Sequence, residues 1–184
     1  MILKANMNWT ANQGIVLPVV LVEVERTLDF IQVFFTVEEP QECFRSEIRN
    51  NGENSWEDSC VEVFLQNPSD PQEYFNFEVT CRGCVFAARG TDRYSRETLS
   101  ATQMNAIQCT KQVASVAGNL ICWGMTVKIP EKIFGLNSFD GVILNGNFYQ
   151  CADKAKNPHY LSAFAIDSEK PDFHRPEFFQ EISE

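Results

Sequence analysis

The sequence predicts an all-β protein, an antiparallel β-sandwich of jelly-roll type, and three observations carry that reading. Apolar residues recur with period two in several separate segments. Turn-forming Asn, Pro, Gly and Asp punctuate those segments, and helical periodicity is confined to short stretches.

The first strand is "LPVVLVEVE" (17–25), with Pro18 fitting a strand start or a sheet edge, where its missing N–H costs no ladder bond. In "DFIQVFFTVEE" (29–39), Ile31, Val33, Phe35 and Val37 share a face opposite Gln32, Phe34, Thr36 and Glu38. "CVEVFLQ" (60–66) turns Val61, Val63 and Leu65 one way and Glu62 the other. "NPSDP" (67–71) reads as a hairpin loop into "EYFNFEVTC" (73–81), where Phe75, Phe77 and Val79 oppose Tyr74, Asn76, Glu78 and Thr80. "RGC" (82–84) supplies a glycine for a tight turn, and the polar run 89–105 fits a long loop or a short helix. "LICWGMTVKIP" (120–130) sends Ile121, Trp123, Met125, Val127 and Ile129 inward. "PEKIFGL" (130–136) is the best helical candidate, with Pro130 at its start and Gly135 near its end. "GVILNGNFYQ" (141–150) closes the set, with Val142, Leu144 and Phe148 opposite Asn145, Asn147 and Tyr149. No internal repeat, low-complexity segment or linker interrupts the chain, so residues 1–184 are expected to form a single domain.

A hydrophobic content of 44%, with 15 Phe, supplies a sizeable core and argues against disorder. The net charge of −10 disfavours nucleic acid and anionic membrane surfaces, leaving neutral or cationic ligands and a divalent cation. No apolar run approaches the roughly 18–20 residues of a transmembrane helix, and "MILKANMNWTANQG" lacks the apolar stretch of a signal peptide. Seven cysteines leave at least one unpaired. Cys81 and Cys84 form a C-x-x-C without a second ligand pair, and Cys109, Cys122, His159 and His174 lack zinc-site spacing.

If strands 60–66 and 74–81 pair as a hairpin, Glu62, Asn76 and Glu78 must share one face, because side chains alternate. Trp56 arrives from the preceding loop. A flat ring beside carboxylate and amide groups suits the C–H face and paired hydroxyls of a sugar. The plainer reading makes these residues the solvated face of a half-exposed sheet, with Trp56 plugging one end of the sandwich. Asn147 and Tyr149 either extend the polar site or close a strand end. Arg82, Arg89, Arg93 and Arg96 read as solvated charge. His174, held between Pro171 and Pro176, reads as structural, and neither histidine sits in a nucleophile motif. Glu62 and Glu78 form the alternative catalytic reading, the carboxyl pair of a glycoside hydrolase.

"WEDSCVEVFL", "YFNFEVTCRG", "GNFYQC", "PHYLSAFAI" and "PDFHRPEFF", in this order, resemble the family 9 carbohydrate-binding modules. The resemblance runs from about Trp9 to Phe179 and is strongest to single-domain members of gut bacteria. It implies a jelly-roll sandwich that binds saccharide without catalysis, alongside xylan- or cellulose-degrading enzymes and outside the cytoplasm. Some relatives hold structural calcium, which makes that ion the candidate cofactor. By position, Trp56 matches a tryptophan that stacks on sugar, and Glu62 matches a carboxylate that bonds sugar hydroxyls. Gln150 stands where the family has a basic ligand residue, and Gln180 stands where it has glycine. Ala163 occupies the place of a second stacking tryptophan, which opens a further reading: an interaction domain that has lost its sugar.

Overall fold

Alternation decides which side of each strand becomes core, and two sheets form around that division. In the computed structural model, which describes residues 1–182, the strands run in chain order as follows. The first six are β1 (Lys4–Ala5), β2 (Val19–Arg26), β3 (Phe30–Pro40), β4 (Cys60–Asn67), β5 (Asp70–Thr80) and β6 (Val85–Gly90). The remainder are β7 (Arg96–Thr98), β8 (Gln108–Ala117), β9 (Leu120–Pro130), β10 (Asn145–Cys151), β11 (Tyr160–Ser162) and β12 (Gln180–Glu181). One sheet has four strands in the order β2-β3-β9-β8. The other has eight, in the order β1-β11-β10-β4-β5-β6-β7, with β12 added beside β10. The strand pairs are antiparallel in both, giving the predicted β-sandwich of jelly-roll type.

Between the sheets, Val33, Phe35, Val37, Met125 and Val127 from the four-stranded side meet Val61, Val63, Leu65, Phe75 and Phe77 from the other. These are the inward sets that alternation selected, and all are buried. Trp123 joins them. The "NPSDP" loop is a tight hairpin, and the register shifts between Gln66 and Asn67, past Glu62, so the pairing around Glu62 is undisturbed. The stretch 130–136 folds as a single 3-10 turn, Glu131–Phe134, instead of an α-helix, and it stops at Gly135 with φ +71°. Four residues between a proline and a left-handed glycine leave no room for more. The polar run 89–105 divides into β7 and one short helix, Ala101–Ala106, whose start is fixed by reciprocal bonds between Ser100 and Gln103.

The outer face of the eight-stranded sheet is not solvated. A second apolar cluster covers it, comprising Trp9, Cys60, Phe64, Tyr74, Tyr149, Cys151, Ile166 and Phe173. The chain after β11 folds back across this face, and its backbone is tied down there. Asn147 Nδ2 donates to Phe164 O at 3.0 Å, Tyr149 OH donates to Phe173 O at 3.2 Å, and the rings of Tyr149 and Phe173 stack at 4.2 Å. The Trp9 indole donates to Ser168 O at 2.9 Å. Both faces of β4 are therefore covered, which is why a strand carrying Glu62 has almost no exposed residue.

Close packing of β10 on β4 depends on Gly146. A Cβ there would lie 2.2 Å from Phe64 O and 2.9 Å from the Leu65 side chain. Gly146→Ala is expected to lose about 1–3 kcal/mol or more, because backbone has to move to admit the methyl. Urea unfolding should show a lower midpoint at unchanged slope.

Candidate functional site

The site is built on the outer face of β4 and β5. Glu62 lies directly opposite Glu78, and Phe64 opposite Asn76, so the three polar residues share the face that alternation assigns them. Directly opposed residues place their Cβ atoms about 4.5–5.5 Å apart, and both carboxyl groups are nearly buried. Glu62 Oε1 accepts from the Cys151 thiol at 3.1 Å, and Glu78 Oε1 accepts from Asn76 Nδ2 at 2.8 Å. Arg96 Nη1 in turn donates to Asn76 Oδ1 at 3.1 Å. Glu78 Oε2 is buried and has no hydrogen-bond partner among the described residues. Burial pushes Glu62 up to about 8, against the lowering effect of the Cys151 thiol. Burial and the facing Glu62 charge hold Glu78 well above the usual carboxylate range. The pair thus keeps at least one proton at neutral pH, so its oxygens include a donor as well as acceptors.

Above this floor lies a cleft of about 340 Å³, with Trp56, Tyr160 and Phe173 among its lining. Trp56 sits on the 3-10 turn Ser55–Glu57, whose position is fixed from several sides. Its carbonyl accepts from Asp153 N at 2.9 Å, and its ring meets Phe86 edge-on at 5.4 Å. The neighbouring Asp58 is fully buried and binds Arg45 and the backbone N–H groups of Glu47 and Ile48, at 2.6 and 2.7 Å for the latter two. The Trp56 ring itself is only half-buried, so part of it remains available to a ligand. His174 is held by a 2.8 Å bond between its Nδ1 and Tyr74 OH. Burial, followed by the Arg96 and Arg93 charges, lowers it to about 3, so it stays neutral. Asp153, also in the cleft, is raised by burial.

Not every residue singled out from the sequence belongs here. Asn147 shares the floor's face, but Oδ1 accepts from Phe148 N and Phe164 N, each at 2.9 Å, and its amide binds Phe164 O. Through these bonds it anchors the returning chain. Gln150 requires a correction: it pairs with Val61, on the opposite side of the sheet from Glu62, and points between the sheets. There its amide donates to Glu39 Oε1 at 3.1 Å, within a cluster that also holds Trp123 and His159. Ala163 likewise packs against the inter-sheet core, so it is not a cleft wall. Arg93, Arg96 and His174, read as bland from sequence, do line the cleft, together with Asp153 and Tyr160. The pairing of Arg96 with Gly90 in the short β7 is what aims Arg96 at the floor, and no alternating pattern announces a three-residue strand.

The model of carbohydrate-binding family 9 matches residues 3–183. The chain belongs to carbohydrate-binding family 9. This family 9 chain also superimposes on a candidate carbohydrate-binding protein from Bacteroides uniformis, with TM-score 0.85 and 29% identity, covering 97% of this chain and 83% of the other. A family 9 module from Caldicellulosiruptor kristjanssonii in complex with glucose matches with TM-score 0.55 and 12% identity, covering 97% and 82% respectively. At that identity the likeness shows the fold alone. No curated protein matches the sequence.

Among the described residues, no group of three or more His, Cys, Asp and Glu side chains converges as a metal site. All seven cysteines carry free thiols, and no helix among the described residues is long and apolar enough to cross a membrane.

Proposed function

We propose that this protein binds a neutral saccharide in the cleft, stacked on Trp56 and hydrogen-bonded at the Glu62–Glu78 floor, as a non-catalytic module of polysaccharide breakdown. The observation that carries this reading is the opposed, buried carboxyl pair, which burial keeps at least partly protonated, beside a half-buried tryptophan in a family 9 chain. Neutral carboxyls both donate to and accept from hydroxyl groups, and they place no strong field on an uncharged ligand. Xylan and cellulose fragments are the proposed ligands, because both present pyranose C–H faces and equatorial hydroxyls. One stacking ring and a few hydrogen bonds support a dissociation constant on the order of 0.1–10 mM.

The arrangement disfavours hydrolysis. Glycosidase carboxyls flank the scissile bond, whereas Glu62 and Glu78 rise side by side from adjacent strands of one wall. Calorimetric titration with glucose, xylose and their β-1,4-linked oligosaccharides, coupled to a reducing-end assay, separates the readings. Saturable heat without new reducing ends supports the binding module. Release of reducing ends supports the hydrolase, and absence of both supports an interaction domain.

A further inference from the structure

Tyr94 is 93% exposed, yet it stands at the cleft, on the short loop between β6 and β7. A ring left in water gains little for folding, yet the loop that carries this one is tightly held. Asp92 Oδ1 accepts from Tyr94 N at 2.7 Å and from Ser95 N at 2.9 Å, and Thr91 N donates to Ser95 O at 3.2 Å. Arg96 Nε donates to Arg93 O at 3.0 Å. The loop closes this tightly because Gly90 has no side chain: a Cβ there would lie 2.0 Å from Ser95 O. From the loop, Arg93 reaches Asp172 on the returning C-terminal segment at 3.3 Å, another residue of the cleft lining. The backbone that carries Tyr94 is therefore fixed while the ring has nothing to pack on. Exposed aromatic rings on a fixed backbone at the rim of a pocket are suited to anchor ligands, because the backbone share of the ordering cost is met before binding.

We propose that Tyr94 is an outer stacking platform, so that the ligand is a saccharide of two or more units, the first at Trp56 and the carboxyl floor and the next on the Tyr94 ring. The proposal rests on the saccharide reading of the inner cleft and adds chain length as a determinant of specificity. The Arg93–Asp172 pair supplies the polar rim against which hydroxyls of the second unit find partners. Stacking is the ring's contribution, so the phenol oxygen is dispensable.

The test is a set of titrations with glucose, cellobiose and cellotetraose and with xylose, xylobiose and xylotetraose, on the wild type, Tyr94→Ala and Tyr94→Phe. In at least one series the wild type should bind the disaccharide about five- to tenfold more tightly than the monosaccharide. Tyr94→Ala should bring that ratio close to one, and Tyr94→Phe should preserve it. The substitutions touch no core residue, and an unchanged melting temperature verifies the fold. A wild type without length dependence, or a ratio that survives in Tyr94→Ala, overturns the platform and leaves the inner site standing. Absence of saturable binding by every sugar overturns the inner site and the platform together.

Discussion

His159→Ala is expected to destabilise the protein by about 3–5 kcal/mol, because it leaves Glu39 buried without its counter-charge. Glu39 comes from β3 and Gln150 from β10, in different sheets, and both are fully buried. Glu39 Oε2 accepts from the Trp123 indole at 3.0 Å, Oε1 accepts from Gln150 at 3.1 Å, and His159 Nε2 lies 3.3 Å from Oε1. That last contact is an ion pair without hydrogen-bond alignment, since Nε2 has no hydrogen-bond partner among the described residues. The polar bridge thus joins the sheets across an otherwise apolar core, and removing one charge exposes the cost of burying the other. At about 2–4 °C per kcal/mol for a chain of this size, the melting temperature should fall by roughly 6–20 °C.

The same pair sets a pH dependence. Burial pulls the His159 pKa down, but Cys43, Glu39 and the Asn157 carbonyl outweigh it and raise it to about 9. A histidine raised from about 6.5 to about 9 stabilises fully below pH 6.5, and that contribution, about 3 kcal/mol, is lost as the pH climbs to 9. Glu62 and Glu78, raised by burial, act in the same direction, since the folded state holds protons that the unfolded chain releases at lower pH. Thermal unfolding should therefore show the wild type losing stability steadily from pH 6.5 to 9. His159→Ala should lose less over that interval and retain the part due to the carboxyls.

Trp56→Ala carries the second large effect, a loss of saccharide affinity of roughly 10- to 100-fold, equal to 1–3 kcal/mol of ring burial. Starting from millimolar binding, that loss abolishes a measurable calorimetric signal. Because the Trp56 ring also packs edge-on against Phe86, Trp56→Phe is the necessary companion. It keeps an aromatic face and should retain part of the affinity if stacking is the interaction. Ala163→Trp should not tighten binding, since residue 163 packs on the inter-sheet core. A larger ring there strains the sandwich instead.

The sandwich was legible because alternation in strands such as β3 and β9 is strict and their turns are marked by Pro, Gly and Asn. The shared face of Glu62, Asn76 and Glu78 followed from the same period once the "NPSDP" hairpin was recognised. What alternation cannot report is what covers a face. Nothing local in "EYFNFEVTC" reveals that residues beyond Ser162 return over it and convert a half-exposed sheet into the floor of a cleft. For the same reason Arg93, Arg96 and His174 read as solvated or structural, although long-range folding brings them to the carboxyl pair. Gln150 illustrates the opposite error. Its match by position to a basic residue of the family suggested the site, while the strand period, applied strictly, had already put it on the Phe148 side.

The proposed saccharide site is tested most directly by the indole N–H resonances of the protein's three tryptophans during titration with an oligosaccharide. Trp123 is buried between the sheets and bonded to Glu39, and serves as the internal control, whereas Trp9 packs on the cleft-lining Tyr160 and Phe173 and reports on their movement. The Trp56 resonance should shift saturably and furthest while that of Trp123 stays in place, with a midpoint on the order of 0.1–10 mM. Saturable binding that leaves the Trp56 resonance in place, while other signals move, would contradict the site.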